Sequence, residues 1–460
     1  MKKFKYIFLM SFVLLISVGL TSCKDEKDPG STPISVTQIY LEDYKSTVPD
    51  RPVTFARLGQ LIRIEGSGFL GMKKVIINGY ETYFNTTYIT DNSMLINISA
   101  KTPIVDAEAD LRNKITFIKD DVEFTYDFVI RAAAPSITNI SNTLPKAGET
   151  VIVYGVNLQE ITKVTLPGAI ELTTGIVSDI DGEWFTFVMP DGVTESGSVY
   201  SEGANGIAAS PAYFNVSSCL VLDFDGNGTQ GFWSWSATGS MINADDLVND
   251  PLSTGRGKCV QLIPERILTG ANGGVIAGKS RATECWTAGN GNASDDWTRM
   301  YNLIPSTTPV TEVAFQFDIY VPEFWSTTGH IEIALYNNFN FAGIGSDDDN
   351  GRTAYYVPYI QDGTVVPFKT SGWVTVTIPF SNFGYYAKQI ADDKMPTFEN
   401  VVNDRLAATY RNFGMGIVNT DFKYNGVTIT SSLFNQKIYA DNWRVVPCKK
   451  IVVSDFNDEE

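Results

Sequence analysis

Residues 148–158 read GETVIVYGVNL, in which two glycines enclose a run of alternating residues. Val151 and Val153 fall on one side of this run, and Ile152 and Tyr154 fall on the other. Alternation with a period of two is typical of a half-buried β-strand, and glycines at its ends are turn signals. The stretch therefore predicts a strand that begins and ends at a glycine.

The same pattern occurs earlier, where residues 59–69 read GQLIRIEGSGF. Four positions match in a single register: Gly59, Gly66, Phe69 and Val75 correspond to Gly148, Gly155, Leu158 and Val164. Self-similarity at a fixed offset indicates an internal repeat. We therefore expect two copies of one domain, over residues 33–131 and 132–217, with Pro135 close to the joint between them.

Each copy is roughly 85 to 100 residues of short strands with Gly, Asn and Pro turn signals, which favours an immunoglobulin-like sandwich. The motif of a strand between two glycines, followed by Asn or Gly and an apolar residue, resembles the IPT/TIG family of such domains. Copy one departs from the pattern by a longer opening segment, residues 42–57. Neither copy holds a cluster of catalytic residue types, so both are interpreted as spacers.

The N-terminus has the features of an exported lipoprotein. Lys2, Lys3 and Lys5 precede an apolar run that is too short to span a membrane comfortably, which predicts a signal peptide over residues 1–22. The run ends in Leu-Thr-Ser-Cys, which resembles a bacterial lipobox with Cys23 as the lipidated residue. Residues 23–32 are charged or small and predict a flexible tether; the acidic stretch after Cys23 resembles a surface-export signal of Bacteroidota.

Composition excludes several classes of function. The formal net charge of −17 disfavours binding of nucleic acid, which depends on clustered Lys and Arg. The chain has one histidine, His330, so multi-histidine zinc sites are excluded. An acidic protein also favours neutral ligands over polyanions.

Residues 218–450 differ in composition, because seven of the eight tryptophans lie in the last half of the chain. Alternating runs such as Phe315–Val321 and Ile331–Leu335 predict antiparallel strands, and a domain of this size suits a jelly-roll sandwich. The expected fold class is thus all-β, with two immunoglobulin-like sandwiches followed by a larger β-sandwich. The cysteines of this domain are compatible with two disulfides or with four buried thiols: Cys219, Cys259, Cys285 and Cys448.

A sugar ring is bound by an aromatic side chain under its C–H face and by polar groups at its edge. Exposed aromatics among amides are therefore the expected signal of a carbohydrate site. Trp297 follows a polar stretch, and Tyr336 falls on the strand face opposite Ile331 and Ile333, so both are predicted to bind ligand. Further candidates are Tyr301, Trp325 and Phe339, and weaker ones are Trp286, Tyr355, Tyr356, Tyr385 and Tyr386. We expect Trp233, Trp235, Trp373 and Trp443 to lie in the core.

Metal binding and catalysis remain alternatives. The segment from Asp223 begins like a calcium loop, but position twelve is Ser234 where an EF-hand requires Glu. A structural calcium bound by Asp223, by Asp441 or by residues 347–350 is an alternative to a solvated turn; no other cofactor is expected. Hydrolysis of a glycoside would need a pair of carboxylates. Such a pair could come from Glu284, Glu323, Glu332, Asp295 and Asp296.

The order of leader, tether, IPT-like modules and aromatic-rich sandwich resembles the surface glycan-binding proteins of Bacteroides polysaccharide-utilisation systems, of the elongated type encoded after the SusD-like protein. The resemblance implies non-catalytic binding of a neutral β-glucan, such as xyloglucan, mixed-linkage glucan or laminarin, by the last domain. It also implies a lipid anchor in the outer membrane and a SusC/SusD-like uptake complex as partner. A glycoside hydrolase and a surface adhesin for protein partners are the alternative functions.

Overall fold

The structure of the protein, a computed structural model, describes residues 29–43, 50–226, 232–233, 242, 244–262, 283–287, 295–336 and 352–453. It is built almost entirely of β-strands, as predicted. The chain divides into two compact units, of which the first ends at Ala134 and the second begins at Pro135. Among the described residues, no helix is both long enough and apolar enough to cross a membrane.

The first unit is a sandwich of two four-stranded antiparallel sheets, with strand orders β2-β1-β4-β7 and β6-β5-β8-β9, and a short parallel pair, β10-β3. The strands are β1 (Ser35–Leu41), β2 (Arg51–Pro52), β3 (Phe55–Arg57), β4 (Leu61–Ser67), β5 (Lys74–Ile77), β6 (Tyr80–Thr82), β7 (Ser93–Asn97), β8 (Lys114–Ile118), β9 (Glu123–Asp127) and β10 (Val129–Arg131). Ile62 and Ile64 on β4 are fully buried, whereas Arg63 points outward to Glu42 and Glu65. The predicted alternation of this strand is confirmed.

The second unit opens with another sandwich, whose sheets have strand orders β11-β12-β16-β15 and β14-β13-β17-β18. Its strands are β11 (Ser136–Ile140), β12 (Thr150–Val156), β13 (Lys163–Leu166), β14 (Ile170–Leu172), β15 (Val177–Ser178), β16 (Trp184–Val188), β17 (Tyr200–Gly203) and β18 (Gly206–Ala209). Val151, Val153 and Val164 are fully buried in its core.

The repeated glycines have the same structural role in both sandwiches. A Cβ atom on Gly66 would collide with the backbone oxygen of Ser35, and one on Gly155 would collide with that of Ser136. Each glycine therefore lets the first strand of its sandwich pass close by, which no side chain would permit. The duplication inferred from the sequence thus corresponds to one repeated contact between strands.

The rest of the second unit is a larger sandwich. One sheet has the order β21-β22-β33-β24-β29, with β19 also paired to β33, and the other has the order β20-β23-β30-β25-β26. The strands are β19 (Leu220–Leu222), β20 (Phe232–Trp233), β21 (Val248–Asn249), β22 (Lys258–Leu262), β23 (Thr283–Thr287), β24 (Val313–Tyr320), β25 (His330–Ala334), β26 (Thr353–Tyr356), β27 (Ile360–Gln361), β28 (Thr364–Val365), β29 (Val374–Pro379), β30 (Gly414–Val418), β31 (Phe422–Tyr424), β32 (Val427–Ile429) and β33 (Ile438–Pro447).

Aromatic rings fill the space between these two sheets. Phe315 on β24 packs against Phe413, which precedes β30 on the other sheet, with ring centroids 4.6 Å apart. Trp443 on β33 lies edge-on to both rings. Trp443 and Trp373 are buried, as predicted, while the side chains of Trp233 and Trp235 lie outside the described residues.

Two α-helices connect β29 to β30: α1 (Gly384–Ala391) and α2 (Phe398–Ala407). Neither helix carries a long apolar stripe, so no local periodicity marks them in the sequence. Helix α2 is fixed at its start by a capping box between Thr397 and Asn400, in which each side chain accepts a hydrogen bond from the other residue's backbone N–H. The helices cover one end of the sandwich and carry residues of the candidate site.

A buried polar network joins the second sandwich to the larger one. Asp318 on β24 accepts hydrogen bonds from Arg256 over 2.7 Å, from Arg444 over 3.0 Å and from Thr375 over 2.7 Å. Burial would raise the pKa of Asp318, but the charges of Arg444 and Arg256 outweigh burial and hold the pKa below its usual range. The backbone N–H of Thr375 also donates to the oxygen of Ser141 in the second sandwich, over 2.7 Å.

The four cysteines of this region are free thiols in the structure. Cys219, Cys259 and Cys285 are buried, and burial raises the pKa of all three thiols. A protonated, inaccessible thiol is unreactive. Three of the four are therefore buried thiols, as in one of the two arrangements considered from the sequence, while Cys448 is half-buried.

Candidate functional site

Trp297, the first predicted ligand-binding residue, is fully buried. It begins a 3₁₀-helix (Trp297–Asn302), which turns the indole inward against Phe413, with ring centroids 5.6 Å apart. The guanidinium of Arg405 covers the indole at 4.0 Å from its centroid. The prediction that this ring is exposed is therefore wrong, because its apolar partners come from distant segments of the chain.

Trp325 is also fully buried, so the expectation that it could contact a ligand is wrong as well. Its ring packs against Tyr359 and lies edge-on to Phe434, and its indole N–H donates to the backbone oxygen of Thr328 over 2.8 Å. An indole with both its ring and its N–H satisfied within the core has no surface left for a sugar.

Three predicted residues remain. Tyr336 is 7% exposed, because the face of β25 that it continues is not a solvent face: Glu332 and Ala334 are fully buried. Tyr301 is half-buried and lies edge-on to Phe398, with ring centroids 5.7 Å apart. Phe339 lies outside the described residues, and its role stays a prediction.

Tyr336 belongs to a group of polar and aromatic side chains, here called the Tyr385 cluster, which also contains Arg352, Tyr385, Tyr386 and Asp404. The guanidinium of Arg352 lies 3.4 Å from the centroid of the Tyr385 ring. The Nε of Arg352 donates to Asp404 over 3.0 Å, and the hydroxyl of Tyr386 donates to the same oxygen over 2.7 Å. Three separate segments therefore meet at one carboxylate.

Burial and the Asp404 carboxylate shift the pKa of two residues of the cluster, Arg352 and Tyr386. Burial lowers the pKa of Arg352, but the hydrogen bond and charge of Asp404 outweigh burial and raise it overall. Burial and the charge of Asp404 raise the pKa of Tyr386 well above its usual value. The Tyr336 phenol lies near enough to influence both groups. Asp404 thus favours the charged guanidinium of Arg352 and the neutral phenol of Tyr386.

Accessibility separates this cluster from the other aromatics. Arg352, Tyr385 and Asp404 are all half-buried, so they present polar atoms and part of a ring to solvent. A stacked guanidinium keeps its N–H groups in the plane parallel to the ring, where they can donate to hydroxyls. Tyr385 and Tyr386 were weak candidates from the sequence, whereas Arg352 and Asp404 were missed because nothing local marks them.

Two of the five candidate catalytic carboxylates share one face of a sheet. Glu284 on β23 and Glu332 on β25 both lie opposite Gly416 on β30, so their backbones are two strand spacings apart, or roughly 9–10 Å. Trp286 donates its indole N–H to Glu284 over 3.1 Å and lies across Gly414, where any side chain would collide with it. Both carboxylates are fully buried in the structure.

The other candidate carboxylates are placed elsewhere. Asp295 pairs with Arg405 over 3.4 Å, Asp296 caps the 3₁₀-helix by accepting the N–H of Thr298, and Glu323 is exposed. Glycosidases need two carboxylates that flank the same bond, one of them with a raised pKa. Of the five candidates, Glu284 and Glu332 share a sheet face, but both are fully buried in this structure.

His330 is fully buried beside Tyr355 and Phe422. Burial lowers its pKa to about 3, so the imidazole is neutral at neutral pH. No group of three or more His, Cys, Asp or Glu side chains that could hold a metal ion occurs within the described ranges. Asp223 accepts the N–H of Asp225, as in a turn, and residues 347–350 lie outside the described part.

Comparison with known families identifies a match for this half of the chain. Residues 214–447 match the family described as "surface glycan-binding protein B xyloglucan binding domain". The matched segment is just over half of the 460 residues. It contains both the larger sandwich and the Tyr385 cluster.

Similar proteins point in the same direction. An IPT/TIG domain-containing protein of Bacteroides ovatus is 25% identical over 325 residues, which are 70% of this chain and 54% of that protein. The chain therefore spans about half the length of this relative. The crystal structure of the surface glycan-binding protein PbSGBP-B from Prevotella bryantii matches with a TM-score of 0.63 at 21% identity, over 91% of this chain and all of that one. At 21% identity, the structural match shows that the two proteins share a fold and no more.

Proposed function

This chain belongs to the surface glycan-binding protein B family, and we propose that it binds a neutral β-glucan at the cell surface without cleaving it. The glycan contacts the Tyr385 cluster, with Tyr301 beside the start of α2 as a further contact. Xyloglucan is the first candidate among the β-glucans, because the matching family is described by that ligand. Mixed-linkage glucan and laminarin are the next candidates.

The observation that carries this proposal is the stack of Arg352 on Tyr385 at 3.4 Å, fixed by Asp404. A neutral sugar needs an apolar surface beside preorganised donors and acceptors, and this cluster offers both at the protein surface. Preorganisation matters because side chains that are already ordered lose less entropy when the ligand binds. The formal net charge of −17 further supports a neutral ligand over an anionic one.

The proposal assigns no catalytic role to the carboxylates. Glu284 and Glu332 are buried, and Asp404 is engaged by both Arg352 and Tyr386. A glycosidase needs two carboxylates that flank the scissile bond, and Asp404 is the one carboxylate among the residues of the Tyr385 cluster. Binding without hydrolysis therefore fits the accessible cluster better than the alternative enzyme.

For the other segments of the chain, the proposed roles are those expected from the sequence. We propose that residues 1–22 are a signal peptide and that Cys23 carries the lipid anchor, with residues 23–32 as tether. The sandwiches of residues 33–131 and 132–217 act as spacers for the binding domain of residues 218–450. A SusC/SusD-like uptake complex in the outer membrane is the proposed partner.

The test is calorimetric titration of the chain from residue 24 with xyloglucan, comparing wild type with Tyr385→Ala. We expect Tyr385→Ala to weaken binding about tenfold or more, as expected for loss of an aromatic contact with its ordered guanidinium. Phe324→Ala is the matched control, because Phe324 is an exposed aromatic of the same domain outside the cluster.

Equal affinity of wild type and Tyr385→Ala would reject the cluster as the site. Release of reducing ends from xyloglucan by the wild-type chain would instead favour the glycosidase. Absence of binding to xyloglucan, mixed-linkage glucan and laminarin together would leave the adhesin as the better interpretation.

A further inference from the structure

A cavity lies between the second sandwich and the larger one, within the same compact unit. Its volume is about 740 Å³, which is within the range of cavities that bind small molecules. We call it the junction cavity. It is lined on one side by β11, β12 and residues 211–213, and on the other by β29, residues 368–371 and Tyr356. None of the residues of the Tyr385 cluster lines it.

The edge strand β29 supplies polar backbone groups. In an antiparallel ladder, directly opposite residues alternate between pairs that hydrogen-bond to each other and pairs that do not. In a pair that does not, the backbone N–H and C=O of each residue point away from the partner strand. The N–H of Thr375 points away from β24, because it donates to Ser141. Thr377 lies two residues further along β29, so its N–H and C=O also point away from β24, and Thr377 lines the cavity.

Aromatic rings and hydroxyls line the same space. Tyr154 is 38% exposed and points outward from β12, and Phe368 is half-buried on the opposite wall, edge-on to Tyr356. The side chains of Asn139 and Ser371 add an amide and a hydroxyl. The lining residues include no Asp or Glu within the described ranges. The charge of Lys369 is directed to the Phe324 ring, 4.4 Å from its centroid.

We propose that the junction cavity is a second saccharide site, which takes one or two rings of a neutral sugar. Ring faces contact Tyr154 and Phe368, and ring hydroxyls bond to the amide of Asn139 and to the backbone of Thr377 at the edge of β29. A neutral ligand suits the cavity because its lining residues within the described ranges include no carboxylate and one cation, Lys369. The proposal shares only the class of ligand with the proposed function, since the two sites have no residue in common.

The test is calorimetric titration with a xylogluco-oligosaccharide, using the chain from residue 24. We expect two sites per wild-type chain, one site in Tyr385→Ala, and no binding when Tyr154→Ala is added to that variant. In the Tyr385→Ala background, Asn139→Ala should weaken the remaining site about fivefold to tenfold, because one hydrogen bond to the sugar is lost. Tyr200→Ala is the matched control, since Tyr200 is 41% exposed on the same sandwich and does not line the cavity.

Two further measurements separate a binding role from a structural one. Without sugar, Asn139→Ala should leave the melting temperature nearly unchanged, since Asn139 is exposed. With sugar, hydrogen exchange of residues 374–379 should slow in wild type. A single site that Tyr385→Ala abolishes would overturn the junction cavity alone. A single site that Tyr385→Ala leaves intact and Tyr154→Ala abolishes would overturn the Tyr385 cluster alone, and binding that neither variant changes would overturn both.

Discussion

The hydroxyl of Thr143, in the second sandwich, donates a hydrogen bond to the side-chain oxygen of Gln316, in the larger sandwich, over 2.8 Å, and both side chains are fully buried. The same hydroxyl accepts a hydrogen bond from Arg444 over 2.8 Å. These contacts connect the second sandwich directly to the ion pairs around Asp318. The two sandwiches therefore share a polar interior and should unfold together.

Thr143→Val tests this joint, because it keeps the shape of the side chain and removes the hydroxyl. We expect a loss of about 1–3 kcal/mol in the free energy of unfolding, since Gln316 and Arg444 are left with a buried unmet bond. The measurement is urea denaturation followed by tryptophan fluorescence. Thr162→Val, at an exposed hydroxyl of the same sandwich, should change stability by less than about 0.5 kcal/mol. Equal effects of the two substitutions would show that the joint contributes nothing particular.

Asp318→Asn tests the charge at the centre of the network. At pH 7 it leaves Arg256 and Arg444 without their shared carboxylate, so we expect a loss of about 3–5 kcal/mol. The folded pKa of Asp318 is lowered, so its stabilisation is present above the unfolded pKa of about 3.9 and is lost as the pH falls through the folded pKa. The difference between variant and wild type should accordingly shrink below about pH 4. A difference that stays constant from pH 7 to pH 3 would contradict this role.

His330→Phe tests the single histidine. The unfolded imidazole has a pKa of about 6.5 and the folded one about 3, so the folded state binds fewer protons between these values. Wild-type stability should therefore fall with pH below about 6.5, by up to about 1.4 kcal/mol per pH unit from this group. The variant keeps the ring contacts with Tyr355 and Phe422 and should lose less stability between pH 6 and pH 4. Urea denaturation at the two pH values measures this difference. An equal loss of stability in wild type and variant between pH 6 and pH 4 would argue against a buried neutral imidazole.

Trp297→Ala distinguishes a core residue from a ligand-binding one. Because the indole is enclosed by Phe380, Phe413 and Arg405, we expect a loss of about 3–5 kcal/mol in stability. Retention of glycan by the fraction that stays folded should be unchanged. A stable variant that no longer binds xyloglucan would restore the prediction made from the sequence.

Arg352→Lys tests the geometry of the proposed site. Lysine keeps the charge beside Asp404 but cannot stack a planar fork on Tyr385. We expect xyloglucan affinity to fall about threefold to tenfold while the melting temperature changes little, as measured by calorimetry and thermal unfolding. Unchanged affinity would mean that the charge alone suffices or that the glycan binds elsewhere.

The sequence predicted the strands better than the site. The alternation of Ile62 and Ile64 with Arg63 and the glycines at 66 and 155 are local signals, and the structure agrees with both. The strand β25, which the sequence predicted to be half-buried, is instead buried on both faces. Trp297 was misjudged because its neighbours in the sequence are polar, whereas Phe380 and Phe413 are distant in the chain. The Tyr385 cluster draws Arg352, Tyr385 and Asp404 from three segments, so no local pattern could indicate that they meet.

The contact of Gly66 with Ser35, repeated by Gly155 and Ser136, also limits which residues each sandwich accepts at that position. A sequence can vary wherever neighbouring side chains absorb a change, but not where every new side chain would meet a backbone atom. These two glycines are therefore fixed by geometry rather than by any ligand. The same constraint in both sandwiches accounts for the shared glycine, whatever residues stand at the other positions.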